Sequence, residues 1–275
     1  MKTAALMRTV IAALLPVVVA AIYERGAGAL LQVVLAIGGC LLFETLCLVW
    51  RRQPVTATLV DGTAIVAGII IGLSLPPLTP WYVSIAASAF AMVLAKHCYG
   101  GLGNNPFNPA MAGYALALVS FPADFDGWAT ASVLNVVFGG ADAISSPTPL
   151  TARQMGVAVP VITIIFPLSC IIGGAILFLR RAADWRLTSA FLLGVVLVGG
   201  ADTLLAGGTL LAAFFVITDP ATAAVTVRGK WLYGLTAGAL VVWLRADGQH
   251  TDGIAFAILI CNMLAPLMDR IVRWR

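Results

Sequence analysis

Five acidic residues lie within or at the ends of apolar stretches of this sequence. They are Glu44, Asp61, Asp202, Asp219 and Asp252. A charged carboxylate at the centre of a membrane costs about 2.5–3.5 kcal/mol on insertion scales, so it usually serves ion or proton transfer or pairs with a neighbouring group. Glu44 is the deepest of the five, and it is a candidate for an ion path or for pairing with a neighbouring helix or subunit. Asp61 and Asp252 each precede a glycine at a predicted helix start, which favours N-capping over a place on the ion path.

A second group of polar side chains occupies the turn GGLGNNPFNPA at positions 100–110. Asn104, Asn105 and Asn108 are residues that cap the free amides of a helix start, so one interpretation is a capped re-entrant turn. The other is a binding site, in which exposed amides hold an anion or the dioxo edge of a ring system and Gly101 permits close backbone approach. The turn is not a GxGxxG motif in a βαβ unit, which excludes a dinucleotide fold.

The sequence DAISSPTPLT at positions 142–151 places hydroxyl groups between prolines. Composition alone predicts a turn before a helix here. Serine hydrolase chemistry finds no support, because this segment contains no histidine.

The composition indicates that membrane helices position these residues. Of 275 residues, 61% are hydrophobic and 10% are charged, and the mean hydropathy is +1.00. Too few polar side chains remain to cover a water-soluble globule, which excludes a soluble enzyme, a disordered tail and a nucleic-acid binder. Five cysteines without a CxxC motif predict inert, mostly buried thiols and no metal site.

The apolar stretches predict an all-α, polytopic membrane protein that forms a single transmembrane domain over residues 1–275. Each stretch approaches the roughly 20 residues that a helix needs to cross a bilayer. Several are short, as in transporters that build their sites from interrupted helices. The ten predicted spans are 9–23, 29–50, 57–75, 81–95, 108–121, 157–179, 188–200, 203–217, 231–244 and 252–267.

The distribution of lysine and arginine predicts the orientation. Thirteen of the 16 basic residues lie in the termini and in the loops after the even-numbered spans, and Arg25, Arg153 and Arg245 lie on the other side. The positive-inside rule therefore places both termini in the cytoplasm. The loop 122–156, with the hydroxyl-rich segment, then faces outward.

The ten spans divide into two similar sets of five. The stretch that begins Trp81-Tyr82 and ends at Lys96 resembles the one that begins at Trp231 and ends at Arg245. Because each set has an odd number of spans, the two sets would insert in opposite senses, as an inverted repeat with a site between them. The alternative is that small residues recur because close helix packing favours them.

Four segments resemble RnfD, the membrane protein of the Rnf ion-translocating electron transport complex, and its sister NqrB, of the sodium-translocating NADH:quinone reductase. The turn GGLGNNPFNPA and the motif TDPATAA carry the resemblance. The segments cover about a third of the chain in the family's order: 61–81, 96–122, 217–234 and 251–269.

The resemblance implies a covalent flavin. In this family, a flavin transferase attaches FMN through a phosphoester to the threonine of a D-x-x-S-G-A-T motif. Asp142, Ser145 and Thr148 take the Asp, Ser and Thr positions, whereas Ser146 and Pro147 stand where Gly and Ala are usual. Proline fixes φ and removes an amide, so this departure bears on how the Thr148 hydroxyl is presented.

The resemblance also implies a membrane component of an ion-translocating oxidoreductase in the bacterial inner membrane. Such a protein couples electron transfer between NADH and ferredoxin to sodium or proton movement, beside membrane, flavin and iron-sulfur subunits, without a catalytic side chain of its own. A noncovalent riboflavin is a further expectation, with the 100–108 turn as its candidate site. The alternatives are an NqrB-like component of a quinone reductase, a flavin-free scaffold and a secondary transporter.

Overall fold

The computed structural model describes residues 3–125, 164–246 and 253–273. Every regular element in these ranges is helical, in agreement with the predicted all-α class. The α-helices are α1 (Thr3–Arg25), α2 (Ala27–Trp50), α3 (Val55–Leu59), α4 (Thr63–Ser74), α5 (Trp81–Ala89), α6 (Pro109–Ser120), α7 (Ile165–Leu179), α8 (Trp185–Gly199), α9 (Thr209–Leu211), α10 (Val227–Ala246) and α11 (Ile254–Arg273).

Three of these helices are long and apolar enough to cross a membrane: α1, α2 and α11 over Ile254–Val272. The shorter helices α4, α6, α7 and α8 are apolar as well. Many large apolar side chains point outward from the bundle, among them Leu15, Val34 and Leu197. An outer surface of this kind suits lipid, which fits the predicted membrane protein.

The predicted third span contains two helices rather than one. The helix α3 ends before Asp61, and Gly62 adopts a left-handed φ of +81° immediately before α4. Glycine takes this conformation without steric cost, so the Asp61-Gly62 pair interrupts the helix. The N-cap residue of α4 is Gly62 and not Asp61. Asp61, one residue earlier, accepts through Oδ1 from the amide and the hydroxyl of Thr63, both at 2.7 Å.

The predicted eighth span is also interrupted. Within 203–217, a 3-10 turn (Ala201–Leu205) is followed by α9, which continues as a π-helical turn over Ala212–Val216. A second π-helical turn, Phe90–His97, extends α5. Such turns often mark functional sites, because they redirect the side chains that follow them.

Helix pairings recur between the two predicted sets of five. The helix α2 packs on α5 as α8 packs on α10, and α1 packs on α4 as α7 packs on α9. The helix α1 also packs on α7, across the two sets. Recurring pairs agree with a repeat, and its inverted sense stays a prediction.

Glycines allow the closest helix contacts. A Cβ on Gly68 of α4 would lie 2.6 Å from the Cα of Ile37 in α2, and one on Gly238 of α10 would lie 2.9 Å from the amide nitrogen of Val195 in α8. Backbone approach of this kind is how small residues stabilise helix pairs in a membrane.

Candidate functional site

The start of α6 is built from the asparagine-rich turn that the sequence singles out. Asn108 is the N-cap residue, its side-chain oxygen accepts from the Met111 amide at 3.2 Å, and Pro109 occupies the first helical turn. Both residues have the types that these positions favour. The predicted cap is therefore present at Asn108.

The turn that follows α9 meets the start of α6. Asp219 accepts from the Ala221 amide at 3.1 Å and from the Thr222 hydroxyl at 3.2 Å, which fixes the turn. The side-chain amide nitrogen of Asn108 donates to Asp219 Oδ2 at 3.3 Å. One hydrogen bond thus joins the two motifs, NNPFNPA and TDPATAA, on which the family resemblance depends.

Asn262, in the middle of α11, closes this polar network. When the side-chain oxygen of Asn262 faces the backbone nitrogen of Asn108, it accepts from that nitrogen at 3.1 Å. The Thr222 hydroxyl, which donates to Asp219, lies 3.1 Å from the same oxygen. The side-chain nitrogen of Asn262 then donates to the hydroxyl of Tyr233 on α10 at 2.9 Å. Buried polar groups need such partners, so the network fixes α6, α10, α11 and the 218–222 turn relative to one another.

A charged cluster lies beside this network, at the end of the π-helical turn of α5. The Lys96 ammonium donates to Glu44 Oε1 at 2.6 Å and to the Thr63 hydroxyl at 2.8 Å. Glu44 and Lys96 are both buried, at 0% and 2% exposure. We call Lys96, Glu44, Thr63 and the adjacent His97 the Lys96 cluster.

A small cavity of about 80 Å³ lies between the polar network and the Lys96 cluster. Its polar wall includes Thr63, Lys96, Asn105, Asn108 and Asp219, and the rest of its lining is mainly apolar. Ligand pockets share this apolar lining with a few convergent polar groups, but their usual volume of about 300–1,000 Å³ is larger. A ring system would have to widen this cavity to occupy it, with its polar edge facing the lysine and the amides.

The structure brings some of the predicted site residues together and separates others. Asn105 and Asn108 line the cavity, whereas Asn104 is exposed and Gly101 lies in the turn with a positive φ of +99°. Glu44 is paired with Lys96. Asp142, Ser145 and Thr148 of the attachment motif, and Asp252, lie outside the described residues.

Three residues of the site, Lys96, Thr63 and Asn262, were not predicted from the sequence. Local pattern marks Lys96 only as a basic residue at the end of a span and Thr63 only as part of an apolar stretch. One signal for Lys96 is its place directly after an apolar run and four residues before the glycine-rich turn. Partners 52 residues away, as Glu44 is, cannot be found from local pattern.

Apolar helices, interrupted helices and a cavity with a few polar groups where they meet are features of membrane transport proteins. The chain belongs to the NQR2, RnfD, RnfE family, whose model matches residues 1–275. It is similar to the D subunit of the ion-translocating oxidoreductase complex of Escherichia coli O6:K15:H31, with 35% identity over 330 aligned positions that cover 100% of this chain and 94% of the relative. The protein of the same name from Shigella boydii serotype 18 is 34% identical over the same shares. The predicted family is confirmed.

Proposed function

We propose that the chain is the D subunit of an Rnf-type complex, which couples electron transfer between NADH and ferredoxin to sodium or proton translocation. The match over the full length of the chain and the similarity to D subunits of ion-translocating oxidoreductase complexes support this. The family also contains the NQR2 proteins, so an NqrB-like component of a quinone reductase is the related alternative. As predicted for the family, the chain would act beside other membrane, flavin and iron-sulfur subunits.

The proposal includes covalent FMN on Thr148, attached by a flavin transferase. Its support is the spacing of Asp142, Ser145 and Thr148, which matches the family's attachment motif. Pro147 and Pro149 in the sequence are expected to favour an extended backbone at Thr148, which would expose its hydroxyl to the transferase. The proposed orientation, with both termini in the cytoplasm of a bacterial cell and the loop 122–156 in the periplasm, gives the transferase access.

The proposal also includes a noncovalent flavin, riboflavin in the sister family, in the central cavity. The observation that carries it is the convergence of Lys96, Asn105 and Asn108 on one wall of an otherwise mainly apolar cavity. When bound, such a flavin supplies one-electron chemistry. The side-chain amides of Asn105 and Asn108 would hold its polar edge, and the ammonium of Lys96 would favour negative charge there.

Two flavin measurements, each comparing the unchanged protein with the Thr148→Val variant, test this function. The chain is expressed with its flavin transferase, purified, denatured and illuminated with ultraviolet light in a gel. Thr148→Val is expected to lose the fluorescent band, because a phosphoester needs a hydroxyl, and Thr148→Ser is expected to retain part of it. Peptide mass fragmentation locates the adduct, and Thr151→Val, in the same segment, is the matched control that keeps the band.

Flavin released by denaturing the natively purified protein reports the cavity separately. Thr148→Val is expected to release as much noncovalent flavin as the unchanged protein. An unmodified Thr148 in protein purified from its own complex would contradict the covalent flavin. Absence of both flavins would leave the scaffold or transporter functions.

A further inference from the structure

An apolar groove opens on the outer surface of the bundle beside α6. Its floor is α6, which packs on the π-helical turn of α5 at one side and on α11 at the other. The described residues that line the groove are all uncharged. They include Phe90 and Leu94 of the π-helical turn, Ala112 and Val119 of α6, and Phe256 of α11. We call this feature the α6 groove.

The α6 groove has the dimensions of a lipid chain. Its volume is about 400 Å³. From Ala112 to Val119 it follows α6 for about 10 Å, at 1.5 Å per residue. Tyr99 and Phe107 extend it at the other end, so its length approaches the depth of one leaflet, roughly 15 Å. A helix would occupy on the order of 1,000 Å³ over this length, so the groove suits a single alkyl chain better than a helix of a partner protein.

The mouth of the α6 groove opens toward the membrane. Leu94, Tyr99 and Val119, which line it, are 46%, 50% and 65% exposed. Apolar side chains exposed in this way on a membrane protein contact lipid chains. Tyr99, and Trp50 at the end of α2, are exposed aromatic residues of the types that mark the level of the lipid headgroups. The Tyr99 end of the groove therefore lies near the membrane surface.

A basic segment meets this end of the groove. The His97 carbonyl accepts from the Gly100 amide at 3.0 Å and from the guanidinium of Arg51 at 3.2 Å. Tyr99 belongs to the same turn, so the guanidinium lies beside the segment that carries the groove end. Arg51 and Arg52 are exposed, and neither the turn 97–100 nor the sequence 49–54 contains an acidic residue. The headgroup end of the α6 groove is therefore positively charged.

We propose that the α6 groove binds one acyl chain of an anionic phospholipid and that Arg51 binds its phosphate. A guanidinium has five N–H donors in a planar fork that matches phosphate, and the His97 carbonyl takes one of them. A cation at the headgroup level favours a lipid with a net negative charge over a zwitterionic lipid. The bound chain would pack between the π-helical turn, α6 and α11, which also carry Lys96, Asn108 and Asn262.

Photolabelling of the full chain in lipid nanodiscs tests the site. The probe is phosphatidylglycerol with a diazirine in one acyl chain, diluted in phosphatidylcholine, and peptide mass locates the label. Label is expected on the peptides of the π-helical turn and of α6. Unlabelled phosphatidylglycerol should suppress it about fivefold more effectively than phosphatidylcholine, because one arginine distinguishes the two headgroups.

Two variants with matched controls separate the headgroup from the chain. Arg51→Gln should abolish the preference for phosphatidylglycerol. Arg180→Gln should keep it, because Arg180 ends α7 in the same backbone conformation but is not near the groove lining. Leu94→Trp fills the groove and should remove its label, whereas Leu193→Trp, at a leucine of similar exposure on α8, should retain it.

Several outcomes would overturn the proposal. Equal suppression by the two lipids in the unchanged protein would refute an anionic lipid, and equal loss of preference in Arg51→Gln and Arg180→Gln would assign it to the charge of the whole surface. If Arg51→Gln does not fold, the competition in the unchanged protein and the label in Leu94→Trp decide. A groove that is labelled in the isolated chain but not in the complex purified from its membrane would identify a partner helix as the occupant and refute the lipid.

Discussion

Two ends of the molecule use the same contact in different surroundings. At one end, Lys96 donates to the Thr63 hydroxyl at the start of α4, at 2.8 Å, and at the other, Arg245 donates to the Thr209 hydroxyl at the start of α9, also at 2.8 Å. Each threonine in turn donates to an oxygen two or three residues before it, Asp61 Oδ1 or the Ala206 carbonyl, both at 2.7 Å. Under the predicted repeat, the two contacts occupy corresponding positions.

The surroundings of the two cations differ. Lys96 lines the cavity, whereas Arg245 is not among its lining residues and lies close to the positive-φ residue Gly207. Arginine stays charged and binds through a fixed planar fork, but lysine is a compact charge with donors that turn toward several acceptors. The cation-to-threonine contact therefore fixes a short helix at both ends, while the cavity distinguishes the Lys96 end.

The largest expected effect is at the buried ion pair. Lys96→Met leaves Glu44 buried without its partner and should lower the free energy of unfolding by about 3–5 kcal/mol. Unfolding of flavin-free protein in mixed detergent measures this. The double variant Lys96→Met with Glu44→Gln should recover most of the loss, because no buried charge remains. A double variant as unstable as Lys96→Met alone would contradict the ion pair as the source of stability.

A matched threonine pair sharpens the comparison. Thr63→Val and Thr209→Val each remove a hydroxyl that accepts from a buried cation, and each should cost about 1–3 kcal/mol of stability. Their effects on flavin binding should differ. Thr63 lines the cavity and accepts from Lys96, whereas Thr209, at the start of α9, is not among the lining residues. Fluorescence titration with riboflavin should show weaker binding in Thr63→Val and an unchanged affinity in Thr209→Val. Equal losses of affinity would mean that the contacts act through helix position alone.

Local pattern predicts the parts of the fold that depend on a single segment. Every predicted span contains helix in its described residues, and the cap expected at Asn108 is present, whereas the N-cap residue after Asp61 is Gly62. The interruption of the eighth span is different, because 203–217 is apolar apart from Thr203, the glycine pair at 207–208 and Thr209. Hydropathy does not separate a continuous helix from a short helix with a π-helical turn.

The site was predicted only in part. Glu44, a candidate for an ion path or for pairing, is paired with Lys96. Asn105 and Asn108, for which a capped turn and a binding site were both open, line the cavity. Lys96 reaches the site because the π-helical turn Phe90–His97 redirects it toward Glu44 and Thr63, which precede it by 52 and 33 residues. Such partners depend on helix packing, which the sequence of one segment does not contain.

The smallest effect is expected at a third cation contact, that of Lys230, which lies outside the predicted membrane spans. Lys230, at the start of α10, donates at 2.7 Å to Asp184, the N-cap residue of α8, and both side chains are partly exposed. Burial raises the pKa of Asp184, but hydrogen bonds from Lys230 and the Arg186 amide, with the charges of Lys230 and Arg186, outweigh it and hold the pKa below its ordinary value. A carboxyl whose folded pKa is lowered stabilises the protein above its unfolded pKa, and this stability is lost as the pH falls through the folded pKa.

Replacing this carboxyl by an amide separates its charge from its hydrogen bonds. Asp184→Asn keeps a good N-cap residue and removes the charge, so it should cost at most about 1 kcal/mol near pH 7. Thermal unfolding of both proteins from about pH 7 down to about pH 3 should show this difference shrinking toward zero as the carboxyl protonates. A difference that stays constant with pH would show that Asp184 stabilises α8 through its hydrogen bonds and not through its charge.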